Sequence, residues 1–213
     1  PLEWQNGWPI VKCGQHEGKM IWENLDKPFP DSKKIYPVTS DDFDSAKLGH
    51  QWMWSFQPRA DMYSLCERPG HLRLYAYKPL AEDKIETAGN TLLQRNYRYN
   101  ENTAISKFDI SGMAEGQYAG LLHAAGRFHY GIGVSVENGK RYIKIVSNNN
   151  RGIITEFDAS VKIVWFKSAW DFDFVNSFYY SFDGTNYVLG KNNIQLRGND
   201  YRGDYIGFYN YNN

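Results

Sequence analysis

The sequence predicts an all-β protein, a two-sheet antiparallel sandwich, and three observations carry that reading. Short runs alternate apolar and polar residues and stop at turn signals, as strands with one buried face do. Nowhere do apolar residues recur at i, i+3, i+4 and i+7 over three turns, so no amphipathic helix is expected. The chain carries 16 Tyr, 12 Phe and 7 Trp in 213 residues. That aromatic share favours strands and also suits the flat apolar faces of sugars.

A chain of this length buries one core and does not require a second full domain. Lys+Arg and Asp+Glu each number 24, so the formal net charge is zero. Nucleic acid and anionic membrane surfaces therefore have no electrostatic footprint here. No apolar run approaches the ~18–20 residues of a membrane-spanning helix. Cys13 and Cys66 are too few for a disulfide framework; one bridge between them is the alternative to two free thiols, which is the plainer reading. The chain begins at Pro1 rather than methionine, as a mature chain or a fragment would.

Residues 1–40 differ from the rest. Trp8 to Lys12 and Lys19 to Trp22 read as short strands, the first beside the turn signal Asn6-Gly7. Pro28, Pro30 and Pro37 then mark a linker. Two short strands cannot bury a core alone, so Trp4, Trp8 and Trp22 are expected to pack on a neighbour.

From residue 41 the strands follow one another. The acids Asp41, Asp42 and Asp44 open the stretch, and Trp52 and Trp54 at i, i+2 share one strand face. After the turn Arg68-Pro69-Gly70, His71 to Tyr77 alternates as a half-buried strand. Thr103 to Ile110 and Tyr118 to Ala125 come next. Phe128 to Val136 turns at Asn138-Gly139 into Arg141 to Ser147, a hairpin signal. Ile153 to Phe157, Val161 to Lys167, Phe178 to Phe182, Tyr187 to Leu189 and Tyr205 to Tyr211 complete the series. The glycine-rich strand Tyr130 to Val136 suits a place where another backbone, ring or ligand comes close.

The chemistry is sparse. His16, His50, His71, His123 and His129 are dispersed, with no H-E-x-x-H or C-x-x-C, which argues against zinc. Asp41, Asp42 and Asp44 are the candidates for a structural Ca²⁺, although no D-x-D-x-D-G loop is present and solvated acids at a strand start are the plainer reading. There is no G-x-S-x-G, and Gly131-Ile132-Gly133 lacks a following helix. Glycoside hydrolysis needs only two carboxylates, and Asp171 and Asp173 on one strand face offer that arrangement. The plainer reading puts those acids outward and Phe172 and Phe174 inward. Glu67 reads as an ion-pair or turn acceptor beside Arg68.

L-G-H-Q-W-M-W-S-F-Q-P (48–58) followed by S-L-C-E-R-P-G-H-L-R-L (64–74) resembles the opening of the β-sandwich domain of two-domain glycoside hydrolase family 43 enzymes. Asn90 to Arg95, Ala119-Gly120-Leu121, Tyr179 to Gly184 and Arg202 to Gly207 are similar to further motifs of that domain, in the same order. Trp4 to Pro9 resembles the end of the catalytic propeller that precedes it. The resemblance implies a concanavalin A-like jelly roll over 41–213 and a propeller-end strand plus linker over 1–40. It implies a non-catalytic accessory domain that packs on an upstream propeller of the same polypeptide, which holds the catalytic acids and acts on plant cell-wall xylosides and arabinosides. Tyr201 is the implied counterpart of an aromatic loop residue at the pocket rim. Trp54, Phe56 and Gln57 replace a polar run and are the other candidate substrate contacts. No catalytic residue and no certain cofactor is assigned to this chain, and a secreted or periplasmic setting is favoured over a cytoplasmic one. The alternative is a stand-alone lectin-like module that grips sugar on a sheet face or on loop-edge aromatics.

Overall fold

The computed structural model describes residues 2–11, 33, 35–55, 58–80, 85–148, 150–197 and 203–213. The chain divides into two compact units, Pro1–Pro37 and Val38–Asn213. In the first, β1 (Leu2–Gln5) and β2 (Trp8–Val11) form an antiparallel hairpin. Asn6 and Gly7 both take positive φ at its tip, as a two-residue turn matched to strand twist requires. The strand expected at Lys19 to Trp22 lies outside the described residues, as do Cys13 and His16.

The second unit contains no α-helix among its described residues. Its strands are β3 (Trp52–Trp54), β4 (Tyr63–Ser64), β5 (Arg73–Leu74), β6 (Leu92–Arg95), β7 (Glu101–Asp109) and β8 (Gln117–Ala125). They continue as β9 (Phe128–Glu137), β10 (Lys140–Ser147), β11 (Asn150–Phe157), β12 (Ile163–Asp171), β13 (Val175–Ser181), β14 (Val188–Gln195) and β15 (Tyr205–Asn212). One sheet has seven strands in the order β11-β10-β9-β8-β15-β6-β3, and the other has four in the order β14-β13-β12-β7. Every pairing is antiparallel. Strand β15, the last of the chain, lies between β8 and β6, so the larger sheet closes only when the C-terminus arrives. This is the concanavalin A-like sandwich.

The inner layer follows from alternation. Leu121, Ile132, Val134, Ile143 and Ile206 point from the seven-stranded sheet to Val164, Phe166, Phe178 and Tyr180 of the four-stranded one. Phe166 and Phe178 have no accessible surface. The side chains between them on β8, β9 and β15 face the other way and form a second buried layer. It includes Leu93, Tyr118, Leu122, Ala124, Val146, Tyr209 and Tyr211, roofed by Ile85 of the 3-10 turn Ile85–Thr87 and by Ala88 just after it.

Gly133 explains the glycine-rich strand. A Cβ there would lie 2.2 Å from Tyr209 Oη and 2.3 Å from Ala119 O. The close partners are therefore a tyrosine ring and a neighbouring backbone. The predicted Asn138-Gly139 turn is also present, with φ of 53° and 73° joining β9 to β10.

One expectation fails. His71 to Tyr77 alternates like a strand, yet only Arg73 and Leu74 pair, with Ser64 and Tyr63. Tyr75 N still donates to Met62 O at 2.9 Å, but Met62 N turns to Arg59 O within the 3-10 turn. Asn90 Nδ2 donates to Tyr75 O at 2.5 Å in its place, and to Met62 O at 3.0 Å, so a side chain ends the ladder.

Candidate functional site

One end of the sandwich collects the chemistry. Strands β6, β8 and β12 finish there, while β7, β9, β13 and β15 begin there. The alternation that buries the core sends Leu92 and Gln94 inward on β6 and leaves Arg95 outward. Two hollows flank the connection 96–100. The smaller, about 300 Å³, is lined by His50, Trp52, Gln94, Arg95, Tyr97 and Tyr205 among others. The larger, about 620 Å³ and open, is lined by Arg98, Tyr99, Asn100, Glu101 and Phe172.

The smaller hollow rests on an aromatic stack. Trp52 lies 5.7 Å from Phe43 and 5.4 Å from Phe208, ring centre to ring centre. Its indole N–H donates to Asp41 Oδ2 at 2.7 Å, and Asp41 Oδ1 accepts from Phe43 N at 2.8 Å. Asp41, one of the three acids considered for Ca²⁺, thus accepts hydrogen bonds from β3 and from its own loop. Among the described residues no three of His, Cys, Asp and Glu are grouped to hold a metal ion. Trp54 shares the Trp52 face, as the i, i+2 spacing predicts, and its ring packs 4.8 Å from Tyr63. Phe56, Gln57 and Tyr201 lie outside the described residues.

Beneath this end runs a buried polar chain that sequence reading passed over. His123 Nδ1 is 2.8 Å from Asp204 Oδ2 and its Nε2 is 2.8 Å from Ser168 Oγ. Ser168 Oγ is 2.6 Å from Asn176 Oδ1, and Asn96 Nδ2 donates to Asp204 Oδ2 at 2.5 Å. As placed, Asn176 Nδ2 is buried without a partner. With the two ends of that amide exchanged the donors run one way, Asn176 to Ser168, Ser168 to His123 Nε2, and His123 Nδ1–H to Asp204, while one buried oxygen each of Asn176 and Asn96 is left without a protein partner. The order Ser–His–Asp is that of an acyl-transfer triad, but Ser168 has no accessible surface and His123 is 1 % exposed. No substrate reaches them. The network instead joins the two sheets and pins the start of β15. A lone His within the apolar strand 118–125 was the only sequence signal for it.

The paired-carboxylate expectation is corrected. Asp171 closes β12, and its Oδ1 caps the turn by accepting from Val175 N at 2.9 Å. Asp173 sits inside that turn rather than on the strand face, because Phe174 turns the backbone with φ of 61°. Phe172, expected inward, points outward and is 52 % exposed. Glu67 does form an ion pair, but with Arg73 at 3.1 Å, while Arg68 reaches Asp109. Cys66 is exposed and free. Neither hollow is lined by two carboxylates among the described residues.

The outer face of the seven-stranded sheet is covered. The seven-stranded sheet's outer face carries Tyr118 and Tyr211 stacked at 4.9 Å with 4° between planes. Arg151 lies over both rings, and the buried Lys144 pairs with Glu137. Ile85 and Ala88 cover the centre of this face.

Comparison with known proteins accounts for this architecture. Residues 40–213 match the family described as the β-xylosidase C-terminal concanavalin A-like domain. The whole chain aligns at 31 % identity with a β-xylosidase of Formosa agariphila, of which it covers 39 %. It aligns over 68 % of its length, at 30 % identity, with a non-reducing end α-L-arabinofuranosidase of Bacteroides ovatus, covering 27 % of that protein. Among solved structures, a bifunctional GH43-CE protein of Bacteroides eggerthii superposes on the full chain with a TM-score of 0.78 at 31 % identity, the chain spanning 28 % of it. A xylan β-1,4-xylosidase of Bacillus halodurans, at 18 % identity and a TM-score of 0.72, shares the fold over 99 % of the chain and 42 % of its own length. The chain therefore spans less than half the length of these relatives, and it belongs to the family of concanavalin A-like domains that form the C-terminal part of glycoside hydrolase family 43 β-xylosidases.

Proposed function

We propose that this chain is a non-catalytic accessory domain of a glycoside hydrolase family 43 enzyme, packing on a catalytic propeller of the same polypeptide and helping to shape its substrate pocket. Residues 1–40 would join the two parts. The observation that carries the reading is the division of length. A relative described as a β-xylosidase has 61 % of its sequence outside the part this chain covers (100 % less 39 %), and neither hollow of this chain is lined by two carboxylates among the described residues. Xylosides and arabinosides are the substrate class, from the descriptions of those relatives. Tyr201, Phe56 and Gln57 are the proposed pocket contacts. Trp54, whose ring packs on Tyr63, is the fourth. A secreted or periplasmic setting suits such a substrate.

The test compares the full-length polypeptide with a version lacking residues 41–213, using an aryl β-xyloside and an aryl α-arabinofuranoside. Removal of the domain is expected to lower kcat/KM at least tenfold, and Tyr201→Ala in the full-length protein to raise KM. Undiminished activity without the domain sinks the reading. Turnover by this chain alone, abolished by Asp173→Ala, would replace it with a catalytic sandwich.

A further inference from the structure

At the β12–β13 turn the chain holds an aromatic ring outward, where turn chemistry ordinarily places a small polar residue. Phe172 is 52 % exposed, and Tyr99, from the connection between β6 and β7, is 56 % exposed. Neither ring hangs loose. The Arg98 guanidinium lies 4.4 Å from the Phe172 ring centre and 4.5 Å from that of Phe174, and its Nε donates to Phe172 O. Asn102 clamps Tyr99, accepting from its N–H at 3.0 Å and donating to its carbonyl at 2.8 Å. The same amide reaches Trp170 O at 3.1 Å, which ties the connection to the end of β12. Two exposed rings on fixed backbones thus border one open hollow of about 620 Å³, with Asn100 and Glu101 completing its wall.

This combination selects a ligand class. Flat rings fit the apolar faces of pyranosides, and holding them still in advance removes an ordering cost from binding. The Asn100 amide and Glu101 carboxylate supply donors and acceptors for hydroxyl groups. Arg98 commits a guanidinium face and its Nε to two rings and a carbonyl, and the Glu101 carboxylate of the same lining balances its charge, so the hollow favours a neutral ligand over a phosphate or carboxylate. We propose that this hollow is a surface binding site for a neutral oligosaccharide. It goes beyond the accessory role and does not depend on it, because this chain alone carries every group involved. Only the choice of first probe, xylotetraose, rests on the substrate class proposed above.

The 213-residue chain is titrated with xylotetraose, cellotetraose and an arabino-oligosaccharide, and binding is followed by NMR chemical shifts. Saturable shifts at Tyr99, Asn100 and Phe172 are expected for at least one of the sugars, with Kd of about 1 mM for so open a site. Phe172→Ala and Tyr99→Ala should each weaken binding about tenfold, with circular dichroism and the melting temperature unchanged. Binding of cellotetraose alone supports the site and corrects the probe. No saturable shift with any of the three overturns the proposal, and so does binding that both substitutions leave intact. If Phe172→Ala instead weakens association with the catalytic part while sugar never binds, the rings belong to a domain interface and the proposal fails. Undiminished activity after removal of residues 41–213 would end the accessory reading and leave this result standing.

Discussion

Ile132 and Gly133 are neighbours on β9, and they face two different interiors. Ile132 enters an aliphatic and phenylalanine layer between the sheets. Gly133 lies against the Tyr209 hydroxyl in a layer of tyrosines, aliphatic side chains and the Lys144–Glu137 pair. The inner layer can absorb side chains of many shapes provided the volume is kept. The outer one is set by contacts at backbone distance and by paired polar groups, so it tolerates less variety per atom. The difference teaches that a sheet buried on both faces need not be buried by the same physics.

The largest expected effect tests the inner layer. Phe166→Ala removes a fully buried ring and should cost about 4 kcal/mol in urea unfolding. A cost below 1 kcal/mol would mean that the sheets collapse onto the gap, and the layer is less rigid than described. Next comes the outer layer. Gly133→Ala places a methyl against Ala119 O as well as Tyr209, and backbone cannot yield as a side-chain tip can. A loss of about 3 kcal/mol is expected by the same measurement. If Gly133→Ala proves neutral, the close approach of Tyr209 is not what the glycine serves.

The smallest effect sharpens the electrostatic half of the contrast. Burial by itself pushes the Glu137 carboxyl up, but hydrogen bonds from Lys144 and Tyr118 outweigh it and hold the group below its ordinary 4.5. As pH falls, the unfolded chain takes up this proton first. The contribution is therefore full above pH 4.5 and is lost as pH drops through the lower folded value. Glu137→Gln should cost about 2 kcal/mol at pH 7 and flatten the stability curve on its acid side. An unchanged acid limb would assign that limb to other carboxylates.

Much of this was legible in the residues. The Asn138-Gly139 hairpin, the alternation of β7, β8, β9 and β12, and the shared face of Trp52 and Trp54 all rest on local rules of period and turn. Asp171 and Asp173 misled because alternation was extended two residues past the strand's end. The positive φ at Phe174, which ends it there, has no marker in sequence, since Phe is an unusual residue for that conformation. His71 to Tyr77 misled for a related reason: Asn90 captures Tyr75 O from outside the strand. His123 and Asp204 were invisible as a pair, since 81 positions separate them and neither belongs to a recognisable motif.

The sequence alone determined that this is an all-β sandwich, where most strands turn, and to which enzymes it is similar. Those properties depend on neighbours within a few residues and on motif order. Only the tertiary structure decided that β15 fills the middle of the larger sheet, that His123 meets Asp204 and Ser168, and that Phe172 faces water beside Tyr99. Each of these depends on segments far apart in the chain, brought together by burial that no local pattern encodes.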